Sequence, residues 1–274
     1  MSFREQLFLL KNRPWLLRKR AVRLLRGDKP QGWPRPVMFM GGVPRSGTNL
    51  TLEILERSVD TDVFREADRR AFSRFELRPS DVLKSLASRS TARLVVFKAL
   101  LDAHRIRALM GEFAPAKGVW ITRHYDDSVN SHLHRFPGVG KRIAAIVADR
   151  GGVKGWEVAG MSEATHALLR KLHHPGMNAA SAIALFWYTR SALYFEQRLD
   201  TDPRVATLHY ETLVQDPDRI ARRLFAFLEL PYDPFVVGRV HADSVRKHKV
   251  PDIEPAVREV CDAMLARFEP AYLR

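Results

Sequence analysis

The first residues whose order suggests chemistry run Gly41-Gly42-Val43-Pro44-Arg45-Ser46-Gly47-Thr48-Asn49. They follow a short apolar run and lead into a segment with helical spacing. A turn of this kind at a helix N-terminus aims successive backbone N–H groups at one point. That is an anion site before any side chain counts. Gly42 and Gly47 have the G-x-x-x-x-G spacing of a nucleotide P-loop, but Thr48 and Asn49 stand where Lys and Ser/Thr should follow. The lysine for β- and γ-phosphates is missing, and so is the hydroxyl that ligates Mg²⁺. The loop's cation is internal, at Arg45. An ordinary strand–turn–helix connection is the plain alternative; Gly, Arg, Ser, Gly and Thr together favour phosphate.

Other chemistries find less support. There is one cysteine, Cys261, so internal disulfides and zinc sites with two Cys ligands are excluded. A single thiol fits a reducing, cytoplasmic compartment. The ten histidines show no H-E-x-x-H spacing, and the pairs His132/His134 and His173/His174 read as surface or packing residues. No metal site is expected. No apolar run approaches the roughly 20 residues of a spanning helix, and the start of the chain has no secretory pattern.

The elements that must position the loop come from periodicity. Buried strands are expected at 36–43, 92–99, 117–122 and 204–210, each a short apolar run. Helices are expected at 3–26, 50–58, 79–88, 105–113, 126–135, 140–149, 179–199, 218–228 and 255–268. Residues 150–160 hold four glycines and read as a loop. Alternating strands and helices predict an α/β fold with a mainly parallel sheet. With 46% apolar residues over 274 positions, one large domain is affordable.

Charge is uneven. The chain carries 45 Lys+Arg against 31 Asp+Glu, a net +14, and +8 of it falls in residues 1–35. Two units follow: a basic amphipathic helical segment with a Gly/Pro linker at 1–35, and a main domain at 36–274. The plain reading of the first is a helix packed on the domain with a solvated basic face. The sharper one is contact with an anionic membrane surface. The body is only mildly basic, which does not by itself argue for nucleic acid, and none is expected as a partner.

Pro44-Arg45-Ser46-Gly47-Thr48-Asn49 after a strand resembles the 5′-phosphosulfate loop of the sulfotransferases. These enzymes use 3′-phosphoadenosine 5′-phosphosulfate (PAPS) and need no metal. The resemblance implies that Arg45, Ser46, Gly47, Thr48 and Asn49 hold the 5′-phosphate end. The family's second signature is a strand-end Arg with a Ser eight residues on, both at the 3′-phosphate. Arg123 and Ser131 match it. That spacing lets Arg leave the strand end while Ser sits about two helical turns in, so both can face one phosphate. A third match, His209-Tyr210-Glu211-Thr212-Leu213 with Asp216-Pro217, resembles the family's Y-E-x-L-x-x-x-P stretch, whose tyrosine lies near the adenine or 3′-phosphate. Tyr210 is equally readable as a core residue. The resemblance covers about 36–250.

Sulfuryl transfer needs in-line attack, cations at the leaving phosphate and a base for the acceptor hydroxyl. By resemblance the cations are Arg45 and Lys98, the latter 25 residues before Arg123. Leu100 stands where cytosolic sulfotransferases place their His base. Tyrosylprotein sulfotransferases use a Glu 21 residues after the loop arginine, which is Glu66 here. His104 and Asp102 are fallback bases. Two departures stand out. His124-Tyr125 replaces Asn-Pro or Asp-Pro after Arg123. Ser244-Val245-Arg246-Lys247-His248-Lys249 replaces the G-x-x-G-x-W lid, with Lys247 the candidate clamp for the 3′-phosphate.

The expected protein is a three-layer, P-loop-like α/β sulfotransferase. It moves a sulfuryl group from PAPS to a hydroxyl on a small molecule, glycan or lipid, with a carboxylate base. The rival readings are a degenerate P-loop kinase, and a basic module that binds nucleic acid or membrane through 1–35.

Overall fold

The computed structural model describes residues 15–136, 138–240 and 249–273. Its centre is a five-stranded sheet of β1 (Val37–Gly42), β2 (Thr61–Phe64), β5 (Leu94–Lys98), β6 (Ala116–Thr122) and β7 (Val205–His209). The spatial order is β2-β5-β1-β6-β7, and every neighbouring pair is parallel. A small antiparallel pair, β3 (Phe72–Ser73) and β4 (Glu76–Leu77), stands apart.

Strand alternation divides the core into two layers. Val37 and Phe39 of β1, Val95 and Phe97 of β5 and Trp120 of β6 face one cluster. Met38 and Met40, Leu94 and Val96, and Val119 and Ile121 face the other. Burial on both faces is why these strands read as continuous apolar runs. On the first face lie α4 (Ile106–Glu112), α8 (Ala179–Glu196) and α11 (Pro255–Phe268). On the second lie α2 (Thr48–Glu56) and α10 (Pro217–Phe227). This is the expected three-layer α/β arrangement. α3 (Ser80–Ser88), α5 (Tyr125–Arg135) and α6 (Val139–Ala148) complete the expected series; α9 (Tyr210–Gln215) was not anticipated, and Tyr210 opens it rather than closing β7. One further helix, α7 (Glu163–Leu172), was not anticipated; its N-cap Ser162 accepts from the Thr165 amide.

The N-terminal segment corrects an expectation. Residues 15–25 form a helix, α1, and 1–14 lie outside the described residues. Its packed face is basic: Lys19 and Arg23 are 4% and 7% exposed, whereas Leu17, Leu24 and Leu25 are 64%, 81% and 87% exposed. The reason is unpaired carbonyls. Trp15 Nε1 and Lys19 Nζ donate to the Glu56 carbonyl at the last turn of α2, at 3.1 and 3.0 Å. Arg23 donates to the Val59 and Thr61 carbonyls at 2.6 and 2.7 Å and pairs with Asp62 at 2.8 Å. A helix C-terminus and a sheet-edge strand both leave acceptors that need donors.

Candidate active site

The site forms where the strands end. Between β1 and α2 the chain turns through Arg45 with φ 72° and Gly47 with φ 91°. A Cβ at Gly47 would run into the Tyr210 ring, so the packing of the loop itself requires glycine there. Arg45 is held in the left-handed region although it has a Cβ, a strain that marks many ligand loops. Its Nε donates to Ser131 Oγ at 2.9 Å. The Ser46 hydroxyl is buried and has no hydrogen-bond partner among the described residues. The first amides of α2 open onto the same space.

Arg123 follows β6. Its guanidinium lies over the Tyr210 ring at 4.5 Å, donates to the Arg45 carbonyl at 3.4 Å and meets Asp127 at 3.3 Å. Trp187 Nε1 of α8 fixes the Arg123 carbonyl at 3.1 Å. Thus Arg45, Arg123, Ser131 and Tyr210, drawn from three separate motifs, touch one another. His124 does here what the missing Asn or Asp would do: its Nδ1 accepts from the Asp126 amide and caps α5.

Sheet register explains the next pair. Phe64 of β2 lies beside Phe97 of β5, so the residues just past each strand end share one edge. Lys98 Nζ donates to Glu66 Oε2 at 2.6 Å and to Asn49 Oδ1 at 3.1 Å. Both side chains are mostly buried. His104 and Asp102, the fallback bases, do not line the cavity described below. Burial pushes the His104 imidazole below its ordinary pKa, and Asp102 is engaged by the Leu77 amide and Arg105.

One cavity of about 900 Å³ unites these groups. Arg45, Gly47, Thr48 and Asn49 line it, as do Glu66, Lys98, Arg123, Ser131 and Tyr210. Lys247 lies outside the described residues, as does most of its basic cluster. The volume is near the upper end for a single small-ligand pocket, which leaves room for a second molecule.

The second half of the cavity comes from residues that no motif marked. Phe75 lies between β3 and β4, Phe136 and Val139 at the junction of α5 and α6, and Trp156 in the loop after α6. Leu100 and Leu101 come from the turn after β5, and Phe186 from α8. Trp156 is anchored by Arg190, which is wholly buried. Arg190 donates to the Trp156 and Leu100 carbonyls at 2.7 and 3.3 Å and lies under the indole at 5.0 Å. Burial lowers its pKa to about 10. His132, read from sequence as a surface or packing residue, is buried and lines the cavity, and His134 also reaches it. Among the described residues no cluster of three or more His, Cys, Asp or Glu could hold a metal ion.

The family model described as "Sulfotransferase domain" matches residues 35–249. No curated protein sequence matches the chain. Among solved structures, the sulfotransferase domain from the curacin biosynthetic pathway is similar at 16% identity and TM-score 0.52, covering 84% of this chain and 98% of that one. A sulfotransferase from Alicyclobacillus acidocaldarius aligns at 17% identity and TM-score 0.48, over 85% and 92% of the two chains. A mouse sulfotransferase complexed with PAP aligns at 15% identity and TM-score 0.47, over 85% and 84%. The first of these carries the shared fold; the family match spans most of the chain and displaces the kinase and binding-module readings. The chain belongs to the sulfotransferase family, and its activity is PAPS-dependent sulfuryl transfer.

Proposed function

We propose that the enzyme sulfates a hydroxyl on an apolar small molecule or lipid, with Glu66 as base and without a metal. In this reading the loop 45–49 holds the 5′-phosphosulfate through its amides and side chains. Arg123, Ser131 and Tyr210 hold the 3′-phosphate end. Lys247 remains a candidate clamp by sequence alone. The catalytic unit is 36–274, with 1–35 an appendage.

The observation that carries the reading is the Lys98–Glu66 contact at 2.6 Å, beside Asn49 and within the cavity of the phosphate loop. An arriving phosphosulfate competes for the Lys98 ammonium, which turns toward the new anion and frees Glu66. The acceptor oxygen then forms a bond to sulfur while the sulfur–oxygen bond to the 5′-phosphate breaks. The acceptor proton passes to Glu66, and PAP leaves with its charge met by Lys98 and Arg45. The apolar wall of Leu100, Phe136, Val139, Trp156 and Phe186 favours an apolar acceptor over a glycan.

The test is Glu66→Gln, assayed with PAPS and a panel of aryl and alkyl alcohols. Turnover should fall by roughly 10²–10⁴-fold, the range of a positioned acid–base group, while PAP still shifts the melting temperature as in wild type. Near-wild-type turnover would remove Glu66 from the mechanism. Chelators should leave wild-type turnover unchanged.

A second, compatible reading concerns the surface. Among the described residues no helix is long and apolar enough to cross a membrane. The outward face of α1 nevertheless combines Leu17, Leu24 and Leu25 with exposed Arg18 and Arg20. Apolar side chains beside cations suit an anionic lipid surface. The single free thiol suits a reducing compartment, and we propose that the enzyme is cytoplasmic and peripheral to such a membrane.

A further inference from the structure

His132 is a polar group of the cavity that the reaction described above does not use, and it is the one set deepest among the aromatic side chains of the wall. It is 2% exposed, sits on α5 directly after Ser131, and lines the cavity. Its Nδ1 lies 2.8 Å from the Ser128 carbonyl. A carbonyl only accepts, so the ring proton is on Nδ1 and Nε2 keeps a lone pair. The Ser128 contact is the one side-chain hydrogen bond of His132 among the described residues, and it leaves Nε2 unengaged. The ring stands edge-on to Phe186 at 5.8 Å and near Phe136 at 6.3 Å, both in the apolar wall. Burial and the neighbouring Arg45 charge lower its pKa to about 4, although the Ser128 contact opposes them. The ring is therefore neutral near neutral pH.

The other polar groups are engaged differently. Glu66, Lys98 and Asn49 bond one another, and Arg45, Ser131 and Arg123 form the nucleotide side. His132 is thus a neutral hydrogen-bond acceptor set into the apolar wall. A lone pair in such a wall loses its water when an apolar molecule enters, and that loss is costly unless the molecule brings a donor.

We infer that His132 Nε2 selects the acceptor: the substrate is an apolar alcohol that carries a second hydrogen-bond donor, a hydroxyl or amide N–H, apart from the hydroxyl that is sulfated. His132 is then a specificity residue, and its role rests on the apolar-acceptor reading above. A site built to bond a donor rejects the analogue lacking it, because its own buried group is left unpaired. With one neutral hydrogen bond at about 0.5–1.5 kcal/mol, the preference should be roughly 2–10-fold.

The experiment compares matched aryl and alkyl alcohols. One member of each pair has a second hydroxyl or N–H, the other hydrogen in its place, and the spacing of the two groups varies across the panel. Wild type should prefer the two-donor member in kcat/KM at one spacing. His132→Phe should erase the preference while keeping single-donor turnover and PAP affinity within about twofold. His132→Gln, which retains an acceptor oxygen, should keep part of it. A preference that survives in His132→Phe overturns the inference, as does a wild type that shows none at any spacing. A PAP affinity that falls in His132→Phe with the preference intact assigns the residue to the nucleotide and overturns it too. If wild type sulfates neither member of any pair, the apolar-acceptor reading itself falls, and this inference with it. Should His132→Phe not fold, nitrogen-15 NMR of labelled wild-type histidine decides: two-donor alcohols should move the Nε2 signal and single-donor ones should not, and equal shifts overturn the inference.

Discussion

At the scale of single residues, the site is a set of contacts already made between groups that the nucleotide must then share. Arg123 shows this best. It stacks on Tyr210 at 4.5 Å and reaches the Arg45 carbonyl, so the two proposed phosphate sites are joined through one guanidinium. If it binds the 3′-phosphate, Arg123→Ala should weaken PAP by roughly 10–100-fold, the worth of a hydrogen bond to a charged group. Binding of 5′-AMP, which lacks that phosphate, should change much less. Isothermal titration of both nucleotides checks this, and equal losses would take Arg123 out of the 3′ site.

At the scale of elements, legibility depended on how local the cause was. The loop 41–49 could be read because strand, turn and helix adjoin in the chain. Arg123 and Ser131 could be read because eight residues fix their geometry across one strand end and one helix. Glu66 beside Lys98 needed a spacing rule from related enzymes, since their meeting depends on the β2–β5 register. His132 was read as a surface or packing residue, and its place in the cavity wall was not legible because its burial comes from α8, which lies some 50 positions away and is buried nearly all round. An apolar helix without a polar face does not say which side meets a cavity. The inward turn of Lys19 and Arg23 was hidden for the same reason: the carbonyls they serve lie about 40 residues downstream.

That packing of α1 makes a pH prediction. The Lys19 ammonium falls from 10.5 to about 8, chiefly by burial, then by the Arg23 charge. A lowered pKa in the folded state means the unfolded chain binds more protons between about pH 8 and 10.5. Stability contributed by this group therefore rises with pH across that window, and is lost as pH falls through about 8. Lys19→Met should flatten this rise. The measurement is denaturant unfolding of both proteins at pH 7.5 and 10; a difference between them that does not change with pH would contradict it.

For the whole molecule, the cation cluster and the exposed apolar surface lie in different places. Cations at Arg45, Lys98 and Arg123 gather at the C-terminal edge of the sheet, while α1 sets leucines outward beside arginines at another place. Replacing Leu17, Leu24 and Leu25 together by Ser should abolish sedimentation with anionic vesicles at low salt and leave PAP affinity intact. Wild-type protein that ignores such vesicles would end the membrane reading.

The seat of α1 has one more consequence. It grips the Glu56 end of α2, while the phosphate loop lies at the Thr48 end, about 13 Å away along nine residues. An enzyme adsorbed through α1 would thus rest on the bilayer with its catalytic mouth turned to the water. Acceptors would have to desorb and diffuse in singly. Chain length would then limit turnover through the rate of escape from the lipid phase, and short-chain alcohols should outpace their longer homologues even though the apolar wall holds the longer ones more tightly.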